Sequence, residues 1–150
     1  MNGIDPIATA APTPQQTANA VRERMLAADR ASRSLGMQVL ATAPGAATLV
    51  MTVRDDMLNG LATCHGGFIA ALADSAFAFA CNSSGAPTVA AGFGIDFIVP
   101  GRAGDVLTAR CVEVAKAGRS GVYDVEVTNQ RGERVAVFRG RSHTVRMAPS

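Results

Sequence analysis

Fourteen consecutive residues, Phe68 to Cys81, contain one charged side chain, Asp74, with Ser75 polar beside it. The run is rich in Ala, Leu and Phe and free of Pro, so helix is its natural state. A helix that is apolar all round belongs in an interior, of a protein or of a bilayer. This one is shorter than the roughly 18 apolar residues that span a membrane, and a carboxylate sits at its middle. The run is therefore expected to be the central helix of a soluble fold, carrying one deliberate charge.

An isolated buried carboxylate is costly and must be paired, hydrogen-bonded, protonated or wet. Helical spacing puts Gly67, Ala70, Ala71, Ala78 and Cys81 on the same side as Asp74, all of them small. The bulk, Phe68, Leu72 and Phe79, lies opposite and reads as core. Small residues around a carboxylate either admit a neighbouring backbone, which Asp74 would then bond, or leave room for a ligand. The helix alone leaves both readings open.

The start of the helix favours the ligand. Gly66 and Gly67 leave backbone N–H groups uncovered where helix donors lack an internal partner, and the helix dipole suits that end to a developing oxyanion. Asn59, six residues before His65, can bring a side-chain amide to the same place. Gly66 and Asp74 are eight residues apart, roughly 12 Å along a helix axis, so one helix cannot bring both to one carbonyl. Two antiparallel copies side by side across a twofold axis can, and they make two sites.

Around this stretch the chain reads as one globular domain. Residues 1–14, rich in Ala, Pro and Thr, are expected to be a disordered leader, and 15–150 the single domain. Gln15 to Ser34 reads as a helix stopped at Gly36. Met37–Thr42 and Ala47–Arg54 read as strands joined by a turn at Ala43–Ala46, with Asp55 and Asp56 as solvated turn acids. Four more strands are expected over Thr88–Val99, Asp105–Ala115, Val122–Asn129 and Arg134–Arg146, giving an α+β meander.

Composition narrows the function. Apolar residues make up 48% and charged residues 17%, which excludes a disordered chain. Three cysteines are an odd number without metal spacing and read as reduced thiols of a cytoplasmic protein; no secretory signal opens the chain. Two histidines far apart, His65 and His143, make no zinc site, and His143 reads as a hydrogen-bonded structural residue. No Gly-x-Ser-x-Gly elbow is present. Residues 101–150 carry nine Lys/Arg against five Asp/Glu, but without Trp or a dense basic run this suits a phosphate-bearing small ligand better than nucleic acid.

Asn59-x5-His65-Gly66-Gly67 followed by Leu72-Ala73-Asp74-Ser75 resembles the signature of hotdog-fold acyl-CoA thioesterases. Met57–Gly60, Cys64–Gly67, Ala76–Ala78, Ala80–Ser83 and Gly121–Asp124 resemble more closely its phenylacetic-acid-degradation subfamily, over about residues 20 to 146. The resemblance implies a long central helix wrapped by a curved antiparallel sheet of five to six strands, with an N-terminal helix. It implies homodimers that form the active site, and homotetramers as dimers of dimers. Some members place an asparagine before the Asp-x5-Leu-Gly segment; here Ala28 precedes Asp29 and brings no polar group.

The expected activity is hydrolysis of aryl-acyl-CoA thioesters, of the phenylacetyl-CoA kind, with coenzyme A as part of the substrate and no cofactor or metal. The resemblance aligns the family's carboxylate with Asp74 and its carbonyl-polarising amide with Gly66. Asp74 is expected to act as general base on water or to attack directly and form an anhydride, with Asn59 assisting the amide and His65 shaping the loop. Gly67 and Ser75 are expected near the substrate, and Arg102, Gly118, Arg119 and Ser120 near the phosphates of coenzyme A. Singly, each arginine reads better as a solubility charge. A hotdog enoyl-CoA hydratase or dehydratase would want a histidine farther along the helix, and hydration of an enoyl-CoA separates the two. A non-catalytic acyl-CoA binding module would bind without releasing product.

Overall fold

The computed structural model describes residues 9–147. The leader expected over 1–14 lies mostly outside the described residues; residues 9–13 have no regular structure and the first helix opens at Pro14. That helix, α1 (Pro14–Ala28), starts with a capping box: the Thr13 hydroxyl accepts from the Gln16 N–H and the Gln16 side chain accepts from the Thr13 N–H. The single helix expected over Gln15–Ser34 is in fact two. Asp29 takes an extended conformation and becomes the N-cap of α2 (Arg30–Ser34), its carboxylate accepting from the Ser32 N–H and Oγ–H. A short acid favours a cap over a helix interior, which is why the chain breaks there.

Six strands follow the expected order: β1 (Gln38–Ala43), β2 (Ala46–Thr52), β3 (Thr88–Phe97), β4 (Val106–Ala117), β5 (Ser120–Thr128) and β6 (Arg134–Thr144). Between β2 and β3 lies the apolar helix α3 (Gly66–Cys81). The sheet is antiparallel in the order β1-β2-β4-β5-β6-β3, so it departs from a plain meander: α3 carries the chain to the far edge and β3 pairs with β6. One helix is thus held against an antiparallel sheet, the hotdog arrangement.

Alternation along the strands supplies the core. Leu49, Met51, Leu107, Ala109, Cys111, Tyr123, Val125, Val127 and Phe138 turn toward α3 and are buried. Phe77 packs against Tyr123 and Phe138 with ring centroids 5.4 and 5.8 Å away. The opposite sheet face is charged, with Arg139 on Asp124 and Arg134 on Glu126. There Asp96 is exposed, and His143 is half-buried on β6 with no side-chain hydrogen bond among the described residues, contrary to the structural role expected for it.

The two sheet edges are treated differently. At β1 a bulge at Leu40 interrupts the ladder, and α1 lies alongside, the Gln15 amide donating to the Thr42 carbonyl at 2.7 Å. At β3 the outer edge is bare, and Val89, Phe93 and Phe97 remain 45–51% exposed. A ten-residue apolar edge strand is a template for pairing with another chain.

Candidate active site

The site begins in the loop before α3. The Asn59 N–H donates to the Thr63 carbonyl at 2.8 Å, and the Asn59 side-chain oxygen accepts from the Leu61 and Thr63 N–H groups and the Thr63 hydroxyl. This ring of bonds holds Ala62 at φ 57, a left-handed conformation that a non-glycine residue adopts only under constraint. Asn59 is thus the organiser of the loop, a role its sequence position did not suggest. The loop is tied to the rest by two backbone bonds of 2.8 Å, Cys64 N–H to the Gly101 carbonyl and His65 N–H to the Met57 carbonyl.

His65 is the N-cap of α3, and its Nδ1 accepts from the Gly67 N–H at 3.0 Å. With Nδ1 acting as acceptor, the neutral ring carries its proton on Nε2. The same bond takes the Gly67 amide, expected near the substrate, out of use. The Gly66 N–H, by contrast, donates to no group among the described residues. It sits at the positive end of the helix dipole, in a half-exposed position.

Two turns on, Asp74 is half-buried on a face made of Gly67, Ala70, Ala71 and Ala78, none of which the sheet covers fully. Cys81 does not share that face: it is 3% exposed and turned into the core, while Phe68 is only half-buried. Where the sheet wraps, rather than the helical wheel alone, decides which side is open. Burial raises the Asp74 carboxyl above its ordinary 3.8, with no charge or hydrogen bond among the described residues to offset it. Ser75 points elsewhere, its hydroxyl 3.3 Å from that of Ser32, whose proton is held by Asp29.

The remaining expected contacts are spread out. Arg102 lies next to Gly101, at the Gly66 end, exposed, its own N–H donating to the Asp105 carboxylate at 2.9 Å. Gly118 and Arg119 form a two-residue turn between β4 and β5, with Gly118 at φ 56, while Ser120 already belongs to β5. The Arg119 side chain donates to the Thr144 carbonyl. The two arginines flank the twelve residues of β4, roughly 36 Å in length, so one protomer cannot bring both to one phosphate group. One residue at the site went unnoticed in the sequence: the Phe97 ring of β3 lies directly over Gly66.

Among the described residues no cluster of three His, Cys, Asp or Glu side chains could hold a metal ion, and no helix is long and apolar enough to cross a membrane. A helix enclosed by an antiparallel sheet, opening on a free glycine amide and carrying a lone acid, defines a hotdog hydrolase. Residues 61–136 match the model of the thioesterase superfamily, and the chain belongs to that family. The acyl-coenzyme A thioesterase PaaI of Escherichia coli is 45% identical over 130 residues, 87% of this chain and 90% of the relative. The structure of E. coli PaaI superposes with a TM-score of 0.88, at 42% identity, over 89% of this chain and 97% of that one. A variant of the phenylacetic acid degradation protein PaaI of Thermus thermophilus matches with a TM-score of 0.75 at 44% identity, covering 78% and 100%. A Streptococcus mutans protein bound to acetyl CoA matches with a TM-score of 0.70 at 27% identity, covering 73% and 88%. The protein is accordingly a thioester hydrolase of the PaaI type.

Proposed function

We propose that the protein cleaves aryl-acyl-CoA thioesters, phenylacetyl-CoA or its ring-hydroxylated forms, in a homodimer whose two sites are shared between protomers. The observation that carries the reading is the unpaired Asp74 carboxylate on the uncovered small-residue face of α3, beside the bare edge of β3. A second copy packed antiparallel on that face brings its Asp74 toward this protomer's Gly66, and the β3 edges can extend into one sheet. The small Gly67, Ala70, Ala71 and Ala78 face beside Asp74 leaves room for a bulky acyl group. The phenylacetic acid degradation function of the Thermus relative supports the aryl group.

In this arrangement the thioester oxygen accepts the Gly66 N–H. Asp74 removes a proton from water as the water oxygen attacks the carbonyl carbon. The tetrahedral oxyanion is held at the helix start, and its collapse breaks the C–S bond, the thiolate of coenzyme A leaving with the proton returned by Asp74. A carboxyl raised by burial is a stronger base than a solvated one, which suits it to this step. Coenzyme A enters as part of the substrate and no cofactor is called upon. The antiparallel packing also carries the second protomer's Arg119 turn to the Gly66 end, where it joins Arg102 in facing the phosphates. The buried, unpaired state of Cys64, Cys81 and Cys111 fits a cytoplasmic location.

The test is release of free thiol from phenylacetyl-CoA by the wild type and by Asp74→Ala, with the mass in solution measured alongside. Loss of about 10²–10⁴ in kcat is expected for a missing general base. Turnover by Asp74→Ala close to that of the wild type, or a monomeric active species, refutes the assignment.

A further inference from the structure

We propose that Phe97 is a positioning residue for the thioester: its ring makes position 66 a glycine and stands as an apolar wall beside the Gly66 amide. The inference rests on the thioesterase reading of Gly66 given above. Backbone conformation does not explain this glycine. Gly66 is absent from the positive-φ positions of the chain, among which are Gly36, Gly45 and Gly118, and it lies in an ordinary helical turn that any residue can adopt. Space explains it. A Cβ at position 66 would stand 2.9 Å from Cζ of Phe97, and 3.2 and 3.4 Å from its two Cε atoms. All three nearest atoms belong to that one ring, whose tip therefore points at the Gly66 Cα.

The ring is not there as core. Phe97 ends β3 at the bare sheet edge and is 51% exposed, a costly placement for a large apolar group unless a ligand or partner covers it. One part of the ring touches the start of α3 while the rest faces the open side, next to the Gly66 amide, which has no acceptor among the described residues. An N–H donor beside an apolar wall bonds an oxyanion more strongly than the same donor in water, because the local dielectric falls. Phe97 thus acts through the Gly66 amide and takes no part in bond making itself.

The claim separates two things that a glycine usually confounds. Alanine at position 66 keeps the N–H, so a loss in Gly66→Ala comes from the displaced ring. The experiment is a cycle of Gly66→Ala, Phe97→Ala and the double variant, assayed by thiol release across acyl-CoA concentrations. Phe97→Leu, whose side chain stops short of the ring tip, stands in if the alanine variant does not fold. Circular dichroism and gel filtration confirm the fold and assembly of each. Phe97→Ala is expected to lower kcat about tenfold with a smaller change in KM, a fraction of the 10²–10³ typical of a lost oxyanion donor. Gly66→Ala is expected to cost activity in the wild-type background and almost none once Phe97 is Ala or Leu. Equal losses from Gly66→Ala in both backgrounds, or unchanged kcat in a folded Phe97→Ala, overturn the proposal while leaving the thioesterase reading intact. A wild type that hydrolyses no acyl-CoA overturns both.

Discussion

Asp105 offers the sharpest test of how the site is held in place. It is 3% exposed and its carboxylate accepts from the Arg102 N–H at 2.9 Å, the Gln130 amide at 2.9 Å and the Arg131 guanidinium at 3.0 Å. These bonds join the β3–β4 connection to the β5–β6 turn, and the same connection anchors the loop before α3 through the Gly101 carbonyl. Arg131 first, then Gln130 and the Arg102 amide, hold the carboxyl down at about 2 against an ordinary 3.8, with burial opposing. At about 1.4 kcal/mol per pH unit, that lowering corresponds to roughly 2.5 kcal/mol of stability. The Arg131 side chain is 49% exposed, and solvent screening brings the expected figure to about 2 kcal/mol.

Because the folded carboxyl is the stronger acid, this stability is complete above the unfolded value of 3.8 and is lost as pH falls through about 2. Asp105→Asn is neutral at every pH and keeps the shape. Urea unfolding at pH 7 should show it less stable than the wild type by about 2 kcal/mol, the gap narrowing to about half near pH 3. A gap below about 0.5 kcal/mol at pH 7, or one that does not narrow on acidification, would refute the reasoning.

Three further changes are expected to act in different ways. Asp74→Asn should inactivate and yet stabilise: burial raises the folded carboxyl, so its ionisation above 3.8 works against folding, and the gain in melting temperature at pH 7 should shrink as pH falls toward that value. A variant less stable than the wild type at neutral pH would contradict this. Gly140→Ala would set a Cβ 2.8 Å from the ring of Phe77, which is fully buried and cannot swing aside; overpacking of this kind costs about 1–3 kcal/mol, readable by calorimetry. Asn59→Ala removes the acceptor for three donors and releases Ala62 from its strained turn. Hydrogen exchange at the Leu61 and Thr63 amides should accelerate and kcat should fall, and unchanged protection of both amides would count against it.

The parts legible in the sequence were those governed by local rules. α3 announced itself through composition, and the strands through their turn residues: Pro44-Gly45 closes the first hairpin as expected. Gly66 and Asp74, the amide and acid proposed for the site, were singled out by their place on one helix and by a family resemblance that the comparisons bear out at the level of the family. The misses are non-local, with one exception. Asp29-x-x-Ser32 is a capping pattern available to the eye, outweighed by the apolar period running across it. That β3 pairs with β6 and that Cys81 faces the core depend on how the sheet closes around the helix. The Phe97 ring meets Gly66 across a stretch of sequence that no short-range period connects.

The unequal sheet edges limit how far association can run. With β1 bulged and lined by a helix, a ladder extended from β3 by a second copy ends at that copy's own blocked β1. Addition through backbone hydrogen bonds is therefore favoured at β3 and disfavoured at β1, which suits a closed pair better than a fibre. The bulge at Leu40 and the Gln15 side chain on the Thr42 carbonyl disfavour strand addition at that margin, so the open apolar strand at the other favours a pair over an endless array.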